Sequence, residues 1–185
     1  MEVIKTKLDG CVIIQPKVFG DERGFFLESY HYERYKELAG IEEHFVQDNR
    51  SRSTKGVLRG LHFQKSKPQG KLVTVTVGEV FDVAVDLRPG SPTFGQHESI
   101  LLSGEEQTQF YVPPGFAHGF LVLSDIAEFQ YKCTDFYDPT DESGLLWNDP
   151  DLGIDWPIME PVLSEKDIQQ PTFSEMKDKL INGWI

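Results

Sequence analysis

Residues 71–87 alternate with period two on both sides of a single glycine. Lys71, Val73, Val75 and Val77 fall on one face, with Leu72, Thr74 and Thr76 opposite. After Gly78, Phe81, Val83, Val85 and Leu87 share a face, and Val80, Asp82, Ala84 and Asp86 share the other. A helix would turn successive side chains by about 100° and scatter them round its circumference; only extended backbone sorts them into two faces. Shorter runs at 11–15, 24–30, 45–49, 57–63, 98–102, 107–112, 116–123 and 127–134 also read as strands. Turn signals separate them, at Arg88-Pro89-Gly90, Ser103-Gly104 and Pro113-Pro114-Gly115. Many short strands at this spacing predict an all-β sandwich or barrel. Helices are expected only at the periphery, over 33–39 before Gly40 and over 174–180 with Ser174 available as N-cap. The Asp-, Pro- and Gly-rich residues 137–161 read as a long ordered loop, pinned by Trp147 and Trp156. No repeat divides the 185 residues, so one domain is expected over 1–185, with 137–185 as loop and short helix packed on it.

The charge is unevenly placed. Of a formal net charge of -12, residues 125–185 carry fourteen Asp and Glu against four Lys, whereas residues 49–78 hold no acid and seven Lys and Arg. A carboxylate-free basic window in an acidic protein reads as an anion site, because local field decides binding. The isoelectric point near 4.8 argues against nucleic acid as partner. No apolar run approaches membrane-spanning length, which predicts a cytoplasmic protein without a membrane partner. Cys11 and Cys133 lack CxxC spacing and read as free buried thiols.

Within the basic window, Arg59-Gly60-Leu61-His62-Phe63-Gln64 sets an imidazole beside a guanidinium in a strand-like run. His62 reads either as a hydrogen-bonded core histidine or as a proton acceptor. Regular alternation puts Arg59 and His62 on opposite faces unless Gly60 hosts a bulge. Lys71 opens the valine face of its strand; it either snorkels to solvent or serves a polar interior. Tyr131 shares a face with Phe129 and Cys133, as a buried tyrosine or an interior proton donor. Asp167 reads as a loop cap or a surface acid. Pro113-Pro114-Gly115-Phe116-Ala117-His118 matches the second cupin motif, but the first motif's His-x-His and carboxylate are absent, so a cupin-like jelly roll without a metal is expected. Asp82 should point inward, toward Lys71.

Longer strings narrow the reading. Residues 20–28 (GDERGFFLE), Gln47-Asp48-Asn49-x-Ser51, residues 59–64 (RGLHFQ), residues 78–88 (GEVFDVAVDLR), residues 91–95 (SPTFG), residues 114–120 (PGFAHGF), residues 147–150 (WNDP) and residues 164–167 (SEKD) together resemble the dTDP-4-dehydrorhamnose 3,5-epimerase family. The resemblance runs in order from about residue 3 to about residue 170. It implies a cupin-like jelly-roll fold, a homodimer and no cofactor. It also implies inversion of C3 and C5 of dTDP-4-dehydro-6-deoxy-D-glucose, giving dTDP-4-dehydro-L-rhamnose. By resemblance His62 is the base, Asp167 the carboxylate that orients it, Lys71 the stabiliser of the C4 enolate and Tyr131 the acid. His118 is an accessory in the same cavity. Arg59 and Arg23 are implied diphosphate partners; Glu28, Gln47, Asn49 and Tyr137 are implied nucleotide contacts, with Phe19 as a stacking surface. Relatives that invert a single carbon of other dTDP-ketosugars share these residues, and a non-catalytic nucleotide-sugar-binding cupin is a further alternative.

Overall fold

A computed structural model describes residues 1–182. The period-two segments form the expected strands, in two antiparallel sheets packed face to face. The first has six strands: β1 (Glu2–Lys5), β2 (Val12–Gln15), β5 (Gln47–Thr54), β7 (Lys71–Val77), β10 (Gln109–Val112) and β12 (Ile126–Cys133), in the order β1-β2-β10-β7-β12-β5. The second has five: β6 (Leu58–Gln64), β8 (Glu79–Asp86), β9 (His97–Ser103), β11 (Phe116–Val122) and β13 (Glu142–Gly144), in the order β13-β6-β11-β8-β9. The remaining two, β3 (Val18–Asp21) and β4 (Gly24–Leu27), pair only with each other.

Alternation divides each sheet's side chains between two cores. Val73, Val75, Phe110 and Phe129 from the first sheet meet Val80, Ala84, Phe116 and Phe120 from the second, forming the core between the sheets. The opposite face of β8, with Val83 and Val85, packs with Leu58, Leu61 and Leu121 under the C-terminal segment. That segment contributes Leu145, Leu152, Trp156, Phe173, Met176 and Leu180, each buried. Covering apolar side chains of this size contributes about 1.5–3 kcal/mol apiece, which is why a sheet with a second apolar face needs the C-terminal cover. On the outer face of the six-stranded sheet, Val12, Ile14, Leu72 and Tyr111 pack with Tyr35 of α1 (Tyr32–Ala39) and with Ile41.

The helix reading needs one correction. The last helix, α3 (Phe173–Asn182), starts before Ser174. Thr172 supplies the cap: its Oγ1 accepts from the Glu175 amide at 3.3 Å while the Glu175 carboxylate accepts from the Thr172 amide at 2.8 Å. This reciprocal Thr-x-x-Glu arrangement satisfies two donors that a serine inside the first turn would leave open. The loop expected over 137–161 is ordered and holds β13, and α2 (Glu165–Ile168) follows it. Cys11 and Cys133 are both free and buried. No helix among the described residues is long and apolar enough to cross a membrane.

Candidate active site

The two sheets diverge around a cavity of about 530 Å³, lined by Asn49, Arg59, His62, Lys71, His118, Phe120, Phe129, Tyr131 and Asp167 among others. Five strands and a one-turn helix deliver the polar groups.

β6 brings Arg59 and His62 to the same side. His118 lies opposite His62 and Phe120 opposite Arg59, so three steps along β6 match two along β11. The extra residue is absorbed at Gly60, whose φ of +126° is closed to most side chains. A Cβ there would sit 2.5 Å from the Gly119 Cα. The glycine is what turns an arginine and a histidine of opposite parity into neighbours in one cavity.

His62 Nε2 lies 2.5 Å from Asp167 Oδ1. Asp167 is buried; its backbone amide donates to Ser164 Oγ at 3.1 Å, and the Ser164 hydroxyl donates to its Oδ2 at 2.8 Å. Ser164 is the N-cap of α2, so the cap that starts the helix also aims the carboxylate. Burial alone would push the Asp167 carboxyl up, but the hydrogen bonds from His62 and Ser164 outweigh it and hold the group below the usual carboxylate range. An ionised Asp167 places the imidazole proton on Nε2 and leaves Nδ1 as the proton-accepting nitrogen.

Lys71 projects from β7 into the cavity, with its ammonium 5.9 Å from the centre of the Tyr131 ring. Among the described residues no carboxylate comes within ion-pairing distance of it. Burial therefore dominates and lowers its pKa from the usual 10.5. Tyr131 is raised above its ordinary value, chiefly by burial, and stays a phenol at neutral pH. Arg59 spends Nε and Nη2 on Ser53 Oγ, at 3.2 and 3.1 Å, which orients the guanidinium across the cavity wall.

Asp82 does point inward, but its partner is His118 and not Lys71. His118 Nε2 sits 2.9 and 3.0 Å from the two Asp82 oxygens, with both residues buried. β8 and β11 are adjacent in one sheet, whereas Lys71 belongs to the other sheet. Both cavity histidines thus turn Nε2 to a carboxylate, and no group of three or more His, Cys, Asp or Glu among the described residues is placed to hold a metal ion.

The remaining expected contacts divide into two sets. Asn49 lines the cavity, and Gln47 beside it donates to Asn49 Oδ1 at 3.0 Å while its own Oε1 accepts from the Tyr137 amide at 2.9 Å. Phe19, Arg23 and Glu28 lie elsewhere. Phe19 and Arg23 are on the exposed β3–β4 hairpin, where Arg23 pairs with Asp21 at 2.5 Å; Glu28 pairs with Arg34 at 2.9 Å. This chain alone does not bring those three residues to the cavity.

Two residues escaped the sequence reading. Glu142 faces His62, with Oε1 3.8 Å from Nδ1, and sits in a polar stretch with no pattern to single it out. Ser164 stands three residues before Asp167, and that Ser-x-x-Asp spacing is a legible cap signal.

A jelly-roll sandwich whose cavity joins an imidazole hydrogen-bonded to a carboxylate, a desolvated ammonium and an interior phenol has the parts of an isomerase that moves protons on and off carbon. Comparison with known proteins gives the family. Residues 5–175 match the family model for dTDP-4-dehydrorhamnose 3,5-epimerase. The dTDP-4-dehydrorhamnose 3,5-epimerase of Pseudomonas aeruginosa is 54% identical over 176 residues, covering 95% of this chain and 97% of its own. The structure of dTDP-6-deoxy-D-glucose-3,5-epimerase from Legionella pneumophila, in complex with dTDP-4-keto-L-rhamnose, superposes with a TM-score of 0.94 at 56% identity, covering 97% of this chain and 96% of that one. A 3'-monoepimerase from Streptomyces bikiniensis, in complex with dTDP-quinovose, is more distant, at 33% identity and a TM-score of 0.88 over 95% of this chain and 90% of that one. The chain belongs to the dTDP-4-dehydrorhamnose 3,5-epimerase family.

Proposed function

We propose that the protein inverts C3 and C5 of dTDP-4-dehydro-6-deoxy-D-glucose to give dTDP-4-dehydro-L-rhamnose. The observation that carries the reading is the placement of the His62–Asp167 pair, Lys71 and Tyr131 around one cavity. Both carbons flank the C4 ketone, so removing either proton places charge on the ketone oxygen. His62 Nδ1 takes the proton, and Asp167 stabilises the imidazolium that forms. Lys71 meets the enolate oxygen; an ammonium held loosely by burial shares its proton readily with a developing anion. Tyr131 then delivers a proton from the opposite face. His118, buried against Asp82, is an accessory wall of the same cavity.

Arg59 is proposed to grip the diphosphate, with Asn49, Gln47 and Tyr137 beside the nucleotide. Arg23, Glu28 and Phe19 are proposed to reach a site from a second copy of the chain. In support, Phe19, Phe25 and Phe26 of the β3–β4 hairpin are 54%, 63% and 70% exposed, an apolar surface that a homodimer would cover. A cytoplasmic location fits an enzyme acting on an activated sugar nucleotide.

NMR of the ketosugar nucleotide in D2O with the enzyme tests the activity. Deuterium entering C3 and C5 is the expected result, abolished in His62→Ala, with reprotonation slowed more than binding in Tyr131→Phe. Label at a single carbon would make the protein a one-position epimerase. Tight dTDP binding without any label would make it a non-catalytic nucleotide-sugar binder.

A further inference from the structure

Each inversion in the proposed reaction, on which this inference rests, leaves the site displaced by one proton: His62 ends as imidazolium and Tyr131 as phenolate. A second inversion by the same pair needs the imidazole to lose its proton while the sugar nucleotide is still bound.

Glu142 stands where that proton must leave. Asp167 occupies His62 Nε2, so the reacting nitrogen is Nδ1, which faces Glu142 Oε1 at 3.8 Å. The approach is fixed by backbone pairing, with Gly144 opposite His62 and Glu142 opposite Gln64 across β13 and β6. The other carboxylate oxygen accepts from the Tyr137 hydroxyl at 2.6 Å and from the Lys166 ammonium. Glu142 itself is only 12% exposed, whereas Tyr137 and Lys166 are both 51% exposed, so the carboxylate links the imidazole to the protein surface. His62, Tyr131, Tyr137 and Glu142 share a side cavity of about 70 Å³, large enough to hold water. Burial would raise the Glu142 carboxyl, but the hydrogen bonds from Lys166 and Tyr137, then the His62 charge, keep it below its ordinary value and anionic.

We propose that Glu142 is the proton-release residue of His62, clearing the imidazolium between the two inversions and so determining whether both carbons are inverted in one binding event. The N–H bond at Nδ1 breaks as an O–H bond forms on Glu142, directly after a small side-chain rotation or through one water. That proton then passes to bulk water, and the Tyr131 phenolate regains one from water, so the cycle closes without net gain or loss. Glu142 acts through His62 and touches no reacting carbon; it is a positioning residue.

The test is a deuterium count at C3 and C5 in product released after a single binding event, for wild type, Glu142→Gln and Glu142→Asp. Wild type is expected to release mainly doubly labelled product. Glu142→Gln should still label the first carbon, while its ratio of doubly to singly labelled product falls roughly tenfold or more. Glu142→Asp, which keeps a carboxylate, should recover part of the ratio. A Glu142→Gln enzyme with the wild-type ratio, however slow, overturns the inference, because a merely structural defect slows both inversions alike. A Glu142→Asp ratio no better than that of Glu142→Gln also overturns it. Wild-type enzyme that labels neither carbon overturns the proposed function itself, a result distinct from either of these.

Discussion

Asp167→Asn isolates the charge of the proposed base pair from its geometry. An asparagine can turn Oδ1 to the His62 Nε2 proton and its amide to Ser164 Oγ, keeping both contacts while losing the negative charge. The wild-type pair sits at 2.5 Å, with the carboxylate side chain 4% exposed. As His62 becomes imidazolium, two unit charges with centres about 3.5 Å apart attract by about 5 kcal/mol at an effective dielectric of about 20. That figure is a ceiling, because the cavity is open on one side and charge-assisted hydrogen bonds contribute about 1.5–3 kcal/mol net. A loss of about 2–3 kcal/mol from the transition state corresponds to about a 30- to 150-fold fall in rate. The assay is deuterium uptake at saturating ketosugar nucleotide, with KM measured alongside. kcat should carry the loss and KM should stay close to wild type, since Asp167 is not expected to touch the sugar. A variant within about threefold of wild-type kcat would show that the charge does no catalytic work. A fall beyond about 10⁴-fold would show that the substitution had broken the tautomer as well as removing the charge.

Gly60→Ala should destabilise the fold by about 3 kcal/mol or more, from a φ of +126° and a methyl 2.5 Å from the Gly119 Cα; a urea-melt loss under about 1 kcal/mol would refute the bulge argument. Lys71→Met should lower kcat at least about 100-fold, while the melting temperature holds or rises, because a desolvated ammonium without a carboxylate partner is replaced by an apolar chain. A clear drop in melting temperature would show that Lys71 is held by a partner after all. Asp86 contributes to acid stability. Burial opposes its ionisation, but Arg88, Ser91 and Thr93 hold its carboxyl at about 2, against 3.8 in a free chain. A depressed folded pKa gives stability, here about 2 kcal/mol, that is complete above about pH 4 and lost as pH falls toward 2. Asp86→Asn should flatten that part of the stability curve, and curves that stay parallel would refute the assignment.

Strands with one face on an apolar core were legible because their two faces differ chemically, as β7, β8 and β12 show. β5 was harder. Its sequence, QDNRSRST, has no apolar alternation, and the strand expected over 45–49 instead runs over Gln47–Thr54. It alternates all the same: Asn49 and Ser51 line the cavity, while Asp48 pairs with Lys132 and Arg50 with Glu128 on the other face. A strand facing a polar cavity lacks the hydrophobic contrast that reveals a strand facing a core. The short β13 takes its place from pairing with the remote β6, which no local pattern encodes. The site divides the same way. His62 and Arg59 stood out through their place in an acid-free window, and Gly60 was recognisable as the residue able to unite them. Asp167 looked like a cap and is one; that the capped carboxylate meets an imidazole from another sheet strand is a fact of tertiary packing. The meeting of Asp82 with His118 depended on which strands are neighbours, and alternation along one strand cannot supply that.

The chain order of the cavity groups has a consequence for synthesis. Arg59, His62, Lys71, His118 and Tyr131 all precede the last strand, and Asp167 follows it, 105 positions after the histidine it meets. Chains emerge from the ribosome N-terminus first, so every strand of the sandwich is available before the carboxylate is. On the proposed roles, the emerging chain carries the residues that would hold a sugar nucleotide before it carries the carboxylate that would orient the base.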